Sequence, residues 1–140
     1  MRTCGDKLPR VPQFRLAEAG RLLGVSDDTV RRWVDGGLLT AGLDGSGRKV
    51  IDGAELAAFA RDNADDVPDP TEVGRSARNR FVGLVTEVVT DKVMAQVEMQ
   101  CGRFRVVSLL STEAVRELGL EPGSLAVAVV KATSVVVETP

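Results

Sequence analysis

Within Ser76-Ala77-Arg78-Asn79-Arg80 a hydroxyl, a guanidinium and an amide fall inside four residues. Such a set suits an anion held by neutral donors as well as by charge, because all three groups donate hydrogen bonds. The same residues also fit a solvated polar lead-in to the β-branched run that follows. A second set lies in the first half: Arg31 and Arg32, then Arg48 and Lys49 after a glycine-rich turn. Grouped cations suit a polyanion, and they suit a solvated helix face as well. What is missing narrows the chemistry. The chain has no histidine, which removes serine–histidine and cysteine–histidine catalysis and the commonest zinc ligand sets. Its two cysteines, Cys4 and Cys101, lie in different halves and suggest neither a Cys-x-x-Cys site nor a disulfide framework. No nucleophile is paired with a base, so binding rather than catalysis is expected.

The elements that position these residues divide into two modules. From Met1 to Arg61 there are ten basic and eight acidic residues, from Asp62 to Glu72 five acids and no base, and from Val73 onward eight bases and seven acids. A faintly basic head, an acidic connector and a near-neutral tail fit two small domains within 140 residues. No apolar run approaches the roughly 20 residues of a membrane span, and no hydrophobic secretion segment opens the chain. A cytoplasmic location with no membrane partner is expected.

Residues 1–13 carry prolines at 9 and 12 without periodicity and read as a flexible arm. Residues 14–61 read as a helical domain. Leu16, Ala19, Leu22 and Leu23 share one helical face, and Gly24 ends that helix. Ser26 is a good N-cap for a second helix, whose positive end Asp27 and Asp28 favour. Val30, Trp33 and Val34 form its inner face; Asp28, Arg31, Arg32 and Asp35 form its outer one. Two short helices about three residues apart, the second presenting arginines, have the layout of a helix-turn-helix. Gly45-Ser46-Gly47-Arg48-Lys49 followed by Val50-Ile51 reads as a basic hairpin or wing. Asp52 caps a third helix from Gly53 to about Ala60, with Leu56 and Phe59 facing the core.

Residues 62–74 are acidic, hold prolines at 68 and 70, and read as an extended linker. Residues 75–140 read as a β-domain. Strands are expected at Phe81 to Val89, Val93 to Gln100, Phe104 to Leu110, Leu125 to Lys131 and Val135 to Glu138. A short helix capped by Ser111 and ended by Gly119 follows the third strand, with Ala114, Val115 and Leu118 as its apolar face. The fold class is therefore α+β and multidomain. It comprises an N-terminal winged helix-turn-helix, all-α with a small wing, and a C-terminal OB-like five-stranded β-barrel with one short helix. Leu125 to Val130 is apolar on both faces in a domain of marginal size, which predicts self-association.

Both modules resemble known families. Leu16-Ala17-Glu18-Ala19-Gly20-Arg21-Leu22-Leu23-Gly24-Val25-Ser26, then Thr29-Val30-Arg31-Arg32-Trp33-Val34 and Gly37-Leu38-Leu39, resemble the excisionase-like and MerR-like winged helix-turn-helix family over about residues 14–61. The resemblance implies that Thr29, Arg31 and Arg32 approach the major groove of double-stranded DNA while Arg48 and Lys49 reach phosphates. Arg15 stands where that family usually has a threonine cap, and Asp27-Asp28 put negative charge at the helix end nearest DNA. Ser76-Ala77-Arg78-Asn79, the Val85 to Val97 strands, Glu117 to Gly123 and Lys131-Ala132-Thr133-Ser134-Val135 resemble the molybdate-binding Mop (TOBE-type, molbindin-like) domain over about residues 75–138. That resemblance implies a molybdate or tungstate ligand held at subunit interfaces by Ser76, Arg78 and Lys131 with the backbone amides of Ala132 and Thr133. Ser111 matches a threonine that donates from a neighbouring subunit. It implies a homo-oligomer, a hexamer built as a trimer of dimers, with a dimer as the alternative. Asn79 is expected to organise the loop, and Arg80 is left outside the site.

Together the modules predict a molybdate- or tungstate-responsive, DNA-binding transcriptional regulator with no catalytic cofactor or metal other than molybdenum as the oxyanion. The alternatives are intracellular molybdate storage or buffering with a helix-turn-helix appendage, and an excisionase-like recombination factor.

Overall fold

The structure is a computed structural model that describes residues 12–65, 68–71, 73–74 and 76–140. Cys4 and most of the expected arm lie outside the described residues. The chain divides into two compact units, Met1–Asp65 and Asp66–Pro140.

The first unit contains β1 (Gln13–Arg15), α1 (Leu16–Leu23), α2 (Asp27–Asp35), β2 (Ala41–Leu43), β3 (Lys49–Asp52) and α3 (Gly53–Asp62). The three strands form an antiparallel sheet in the order β1-β3-β2. Ser26 caps α2 by accepting the Thr29 N–H, and Asp52 caps α3 by accepting the Glu55 N–H. Close packing in the turn between α1 and α2 requires Gly20. A Cβ there would lie 2.8 Å from the Val25 carbonyl oxygen, inside van der Waals contact. Leu16, Ala19, Val30, Leu39, Ile51 and Leu56 are buried together, with Phe14, Trp33, Val34 and Phe59 packed around them. The Trp33 and Phe59 rings meet at 4.9 Å between centroids. Leu22 departs from the expected inner face and is exposed, because the stripe that turns inward runs through Leu16, Ala19, Gly20 and Leu23 and residue 22 lies about 100° from its centre. β1 was not expected from periodicity, because three residues are too few to show an alternation.

The second unit contains β4 (Asn79–Thr90), β5 (Met94–Cys101), β6 (Phe104–Ser111), α4 (Thr112–Leu118), β7 (Leu125–Val130) and a 3₁₀ turn at Ala132–Ser134. Its four strands run antiparallel in the order β6-β5-β4-β7. β5 alternates cleanly: Ala95, Val97, Met99 and Cys101 are buried, and the residues between them are not. β4 serves two neighbours in succession. Asn79 to Leu84 pair with β7, and Leu84 to Thr90 pair with β5 across a bulge between Val85 and Glu87. The bulge and the staggered pairing curl the sheet into a half-barrel. Gly83 sits at the crossover, where a Cβ would lie 2.6 Å from Cys101 Sγ. α4 packs Val115 into the core beneath the sheet, and the Thr112 hydroxyl donates to the Asp91 carbonyl at 2.9 Å.

Two expectations for this unit change. The barrel has four strands rather than five, because Val135 to Glu138 joins no ladder. The 3₁₀ turn leads the chain away from β7, and Val135, Val136 and Val137 are 46, 82 and 85% exposed. Extended backbone with no neighbouring strand has nothing to accept or donate its ladder hydrogen bonds. Leu118 also points outward, 67% exposed, on the lip of an open apolar groove formed with Leu120 and Leu125.

Candidate anion site and nucleic-acid surface

In the second unit the β4–β7 ladder ends at the pair Asn79 and Val130. One residue beyond it on each strand stand Arg78 and Lys131, so the fold brings two cations to the same end of the sheet. Both are exposed, and neither forms an ion pair with a described residue. Ser76 lies two residues before Arg78 and is exposed, while Ala77 between them is buried and anchors the segment. Asn79 holds the loop in place by donating from Nδ2 to the Val130 carbonyl at 3.1 Å. On the other strand the 3₁₀ turn spends the Lys131 and Ala132 carbonyls on Ser134 and Val135. The N–H groups of Ala132 and Thr133 have no hydrogen-bond partner among the described residues. Two cations, one hydroxyl and two open amides therefore lie on the two segments that leave one end of the β4–β7 ladder.

Ser111 is not with them. It pairs with Met94, beside the Thr90–Ala95 pair, at the opposite end of β4. At ~3.3 Å per residue that is roughly 35 Å along the strand. Its Oγ caps α4 by accepting the Ala114 N–H at 3.0 Å, which leaves the hydroxyl proton as the group it can still donate.

Arg80 has a different task. Its Nε donates to Asp69 Oδ2 at 2.7 Å and its Nη2 to Thr71 Oγ1 at 2.6 Å, while Thr71 donates its N–H and hydroxyl to Asp69 Oδ1. The paired side chains of Arg80 and Asp69 are only 11 and 19% exposed. The Arg80 hydrogen bond, followed by those from Thr71, holds the Asp69 carboxyl well below the usual carboxylate range. The end of the acidic connector is thus tied to β4. The signal for it in the sequence is an arginine at a non-ligand position with an aspartate eleven residues earlier.

In the first unit the structure separates the five residues expected to face DNA. Arg31, Arg48 and Lys49 line one cleft of about 410 Å³ together with Arg15, Asp27 and the start of α1. Thr29 and Arg32 form a different group. Thr29 Oγ1 lies 2.9 Å from Ser26 Oγ and accepts from Arg32 Nη2 at 3.3 Å, which ties both to the α2 cap. Arg31 lies 3.6 Å from Asp28 in an exposed pair one turn apart, an arrangement worth little in water. Asp44 shapes the hairpin turn, its Oδ1 accepting the N–H groups of Arg48 at 2.9 Å and Ser46 at 2.8 Å. Those two bonds lower its pKa, with the charges of Arg15 and Arg48 adding to them. Arg15 is the residue of this surface that spacing alone did not supply.

These features define a class: a half-barrel with cations at one end of its sheet, following a helix-turn-helix. Residues 75–137 match the TOBE domain family, and residues 14–64 match a helix-turn-helix domain family. A probable molybdenum-pterin-binding protein of Haemophilus influenzae is 44% identical over 63 residues, which span 44% of this chain and 91% of that protein. The chain belongs to the TOBE/Mop family of molybdate-binding domains, with a helix-turn-helix domain ahead of the TOBE unit. Among solved structures, a molybdate-binding protein from Sporomusa ovata has 33% identity and a TM-score of 0.47, covering 48% of this chain and 100% of that one. MopII from Clostridium pasteurianum has 34% identity and a TM-score of 0.45, covering 47% and 100%.

Proposed function

We propose that this protein binds molybdate or tungstate through its second unit and DNA through its first, as a molybdate-responsive transcriptional regulator. The observation that carries the reading is the meeting of Arg78 and Lys131 at the end of the β4–β7 ladder, on a chain that also carries a helix-turn-helix. A doubly charged tetrahedral oxyanion needs cations together with neutral donors. Arg78 and Lys131 supply the charge; Ser76 and the amides of Ala132 and Thr133 supply the donors. Ser111 ends β6, on the side of the sheet away from the Asn79–Val130 pair, and in this reading a second copy supplies it. The exposed groove around Leu118 and Leu125 and the unpaired valines 135–137 are what such copies would cover, in a dimer or in a hexamer built from dimers.

On the DNA side, Arg31 and Arg32 of α2 enter the major groove, with Thr29 steadying Arg32 from the helix cap. Arg48 and Lys49 reach phosphates from the wing. One such module has few cations and binds weakly, so assembly through the TOBE units supplies affinity by presenting several modules at once. Ligand regulates this binding if it favours the competent assembly over the other. Gel-shift titration of promoter fragments with and without molybdate tests the reading. Operator affinity should change at least severalfold on saturation, whereas ligand-independent affinity would leave only storage. Storage is a second reading, because 63 residues of this chain, less than half of it, span 91% of the Haemophilus relative.

A further inference from the structure

We infer that Arg15 is a further DNA-contacting residue, gripping a backbone phosphate together with Arg48 and Lys49; this rests on the DNA-binding reading above. Arg15 closes β1 directly opposite Val50, the neighbour of Lys49 on β3. The small sheet therefore sets its guanidinium beside the hairpin that carries Arg48 and Lys49, and all four cations line one cleft with α1 and α2. Three carboxylates bear on this cluster, and one of them, Asp28, lies 3.6 Å from Arg31. Asp27 lines the cleft, and Asp44 lies within electrostatic reach of Arg15 and Arg48. Asp44 Oδ1 is occupied by two backbone N–H groups, so it shapes the turn rather than pairing with an arginine. Arg15, Arg48 and Lys49 form no ion pair with a described residue. Four cations against three acids leave the cluster net positive, and Arg15, Arg48 and Lys49 open to an anion.

The identity of residue 15 points the same way. It occupies the N-cap of α1, where the backbone is extended and an oxygen-bearing side chain would accept a helix N–H. Ser26, Asp52 and Ser111 do so for α2, α3 and α4. Arginine has no acceptor and makes no cap hydrogen bond here. Helical stability has been given up at this position for a planar group with five donors, the geometry that meets a phosphate with two parallel bonds.

The two roles predict opposite signs for one substitution. In the full-length protein, Arg15→Thr restores a cap and should raise the thermal midpoint of the first unit. It should also weaken binding to a fluorescein-labelled duplex of about 30 base pairs by roughly tenfold, as expected for one lost charge-assisted bond. The slope of log K against log salt should fall by about 0.9, the signature of one phosphate contact. Arg15→Lys should keep most of the slope. If Arg15→Thr leaves affinity and slope at wild-type values, whatever the midpoint does, Arg15 is not a phosphate ligand. If the wild-type chain itself shows no salt-dependent binding to the duplex, the DNA-binding reading fails and this inference with it.

Discussion

The helix-turn-helix unit gathers most of its candidate ligands in one cleft, whereas the TOBE unit spreads its candidate ligands and leaves many more large apolar side chains open. In the first, Val30 and Ile51 are fully enclosed by three helices and a small sheet, and the cationic cleft is complete within one chain. In the second, the half-barrel exposes Leu109, Leu118, Leu125 and a run of three valines, and of its candidate anion ligands Ser111 ends β6 while Arg78 and Lys131 flank the Asn79–Val130 end of the β4–β7 ladder. The proposed division of labour therefore places assembly and ligand together in the second unit.

The comparison can be broken at several points, the strongest effect first. Alanine at both Arg78 and Lys131 should weaken molybdate binding by at least roughly 100-fold in calorimetry, since two charge-assisted contacts are lost. Ligand-free binding to DNA should stay at the wild-type level; unchanged molybdate affinity would place the anion elsewhere. Ile51→Ala empties a fully buried position and should cost ~2–5 kcal/mol in the first unit alone. Differential scanning calorimetry should then show one transition moving down while the TOBE transition stays, and a common shift would mean that the units unfold together. Val136→Lys alters a residue already exposed in the single chain, so the fold should survive it. Native mass spectrometry should show fewer subunits per particle, and an undiminished oligomer would exclude the C-terminal valines from the interface.

The smallest effect concerns pH. Asp69 is depressed in the folded chain, so its contribution is full above the unfolded carboxyl value of 3.8 and is lost as the pH falls below it. Between about pH 5 and pH 2.5 the TOBE transition should move down less in Asp69→Asn than in wild type. Parallel curves would show that the Arg80 clamp carries no stability.

Local sequence determined most of the elements. The caps at Ser26, Asp52 and Ser111, the alternation in β5 and the apolar faces of α2 and α3 follow from rules that act within a few residues, and each formed where those rules place it. Sequence spacing also marked Arg78 and Lys131, fifty-three positions apart, but only through their likeness to the Mop pattern. Pairing is another matter, because a strand's partner is set by which backbone edge remains free once the sheet has curled. Tertiary structure alone decided that Val135 to Glu138 has no neighbour in one chain, that Arg80 holds Asp69, and that Arg15 joins Arg31, Arg48 and Lys49. Each of these joins residues distant along the chain, and no local periodicity encodes which of them will meet.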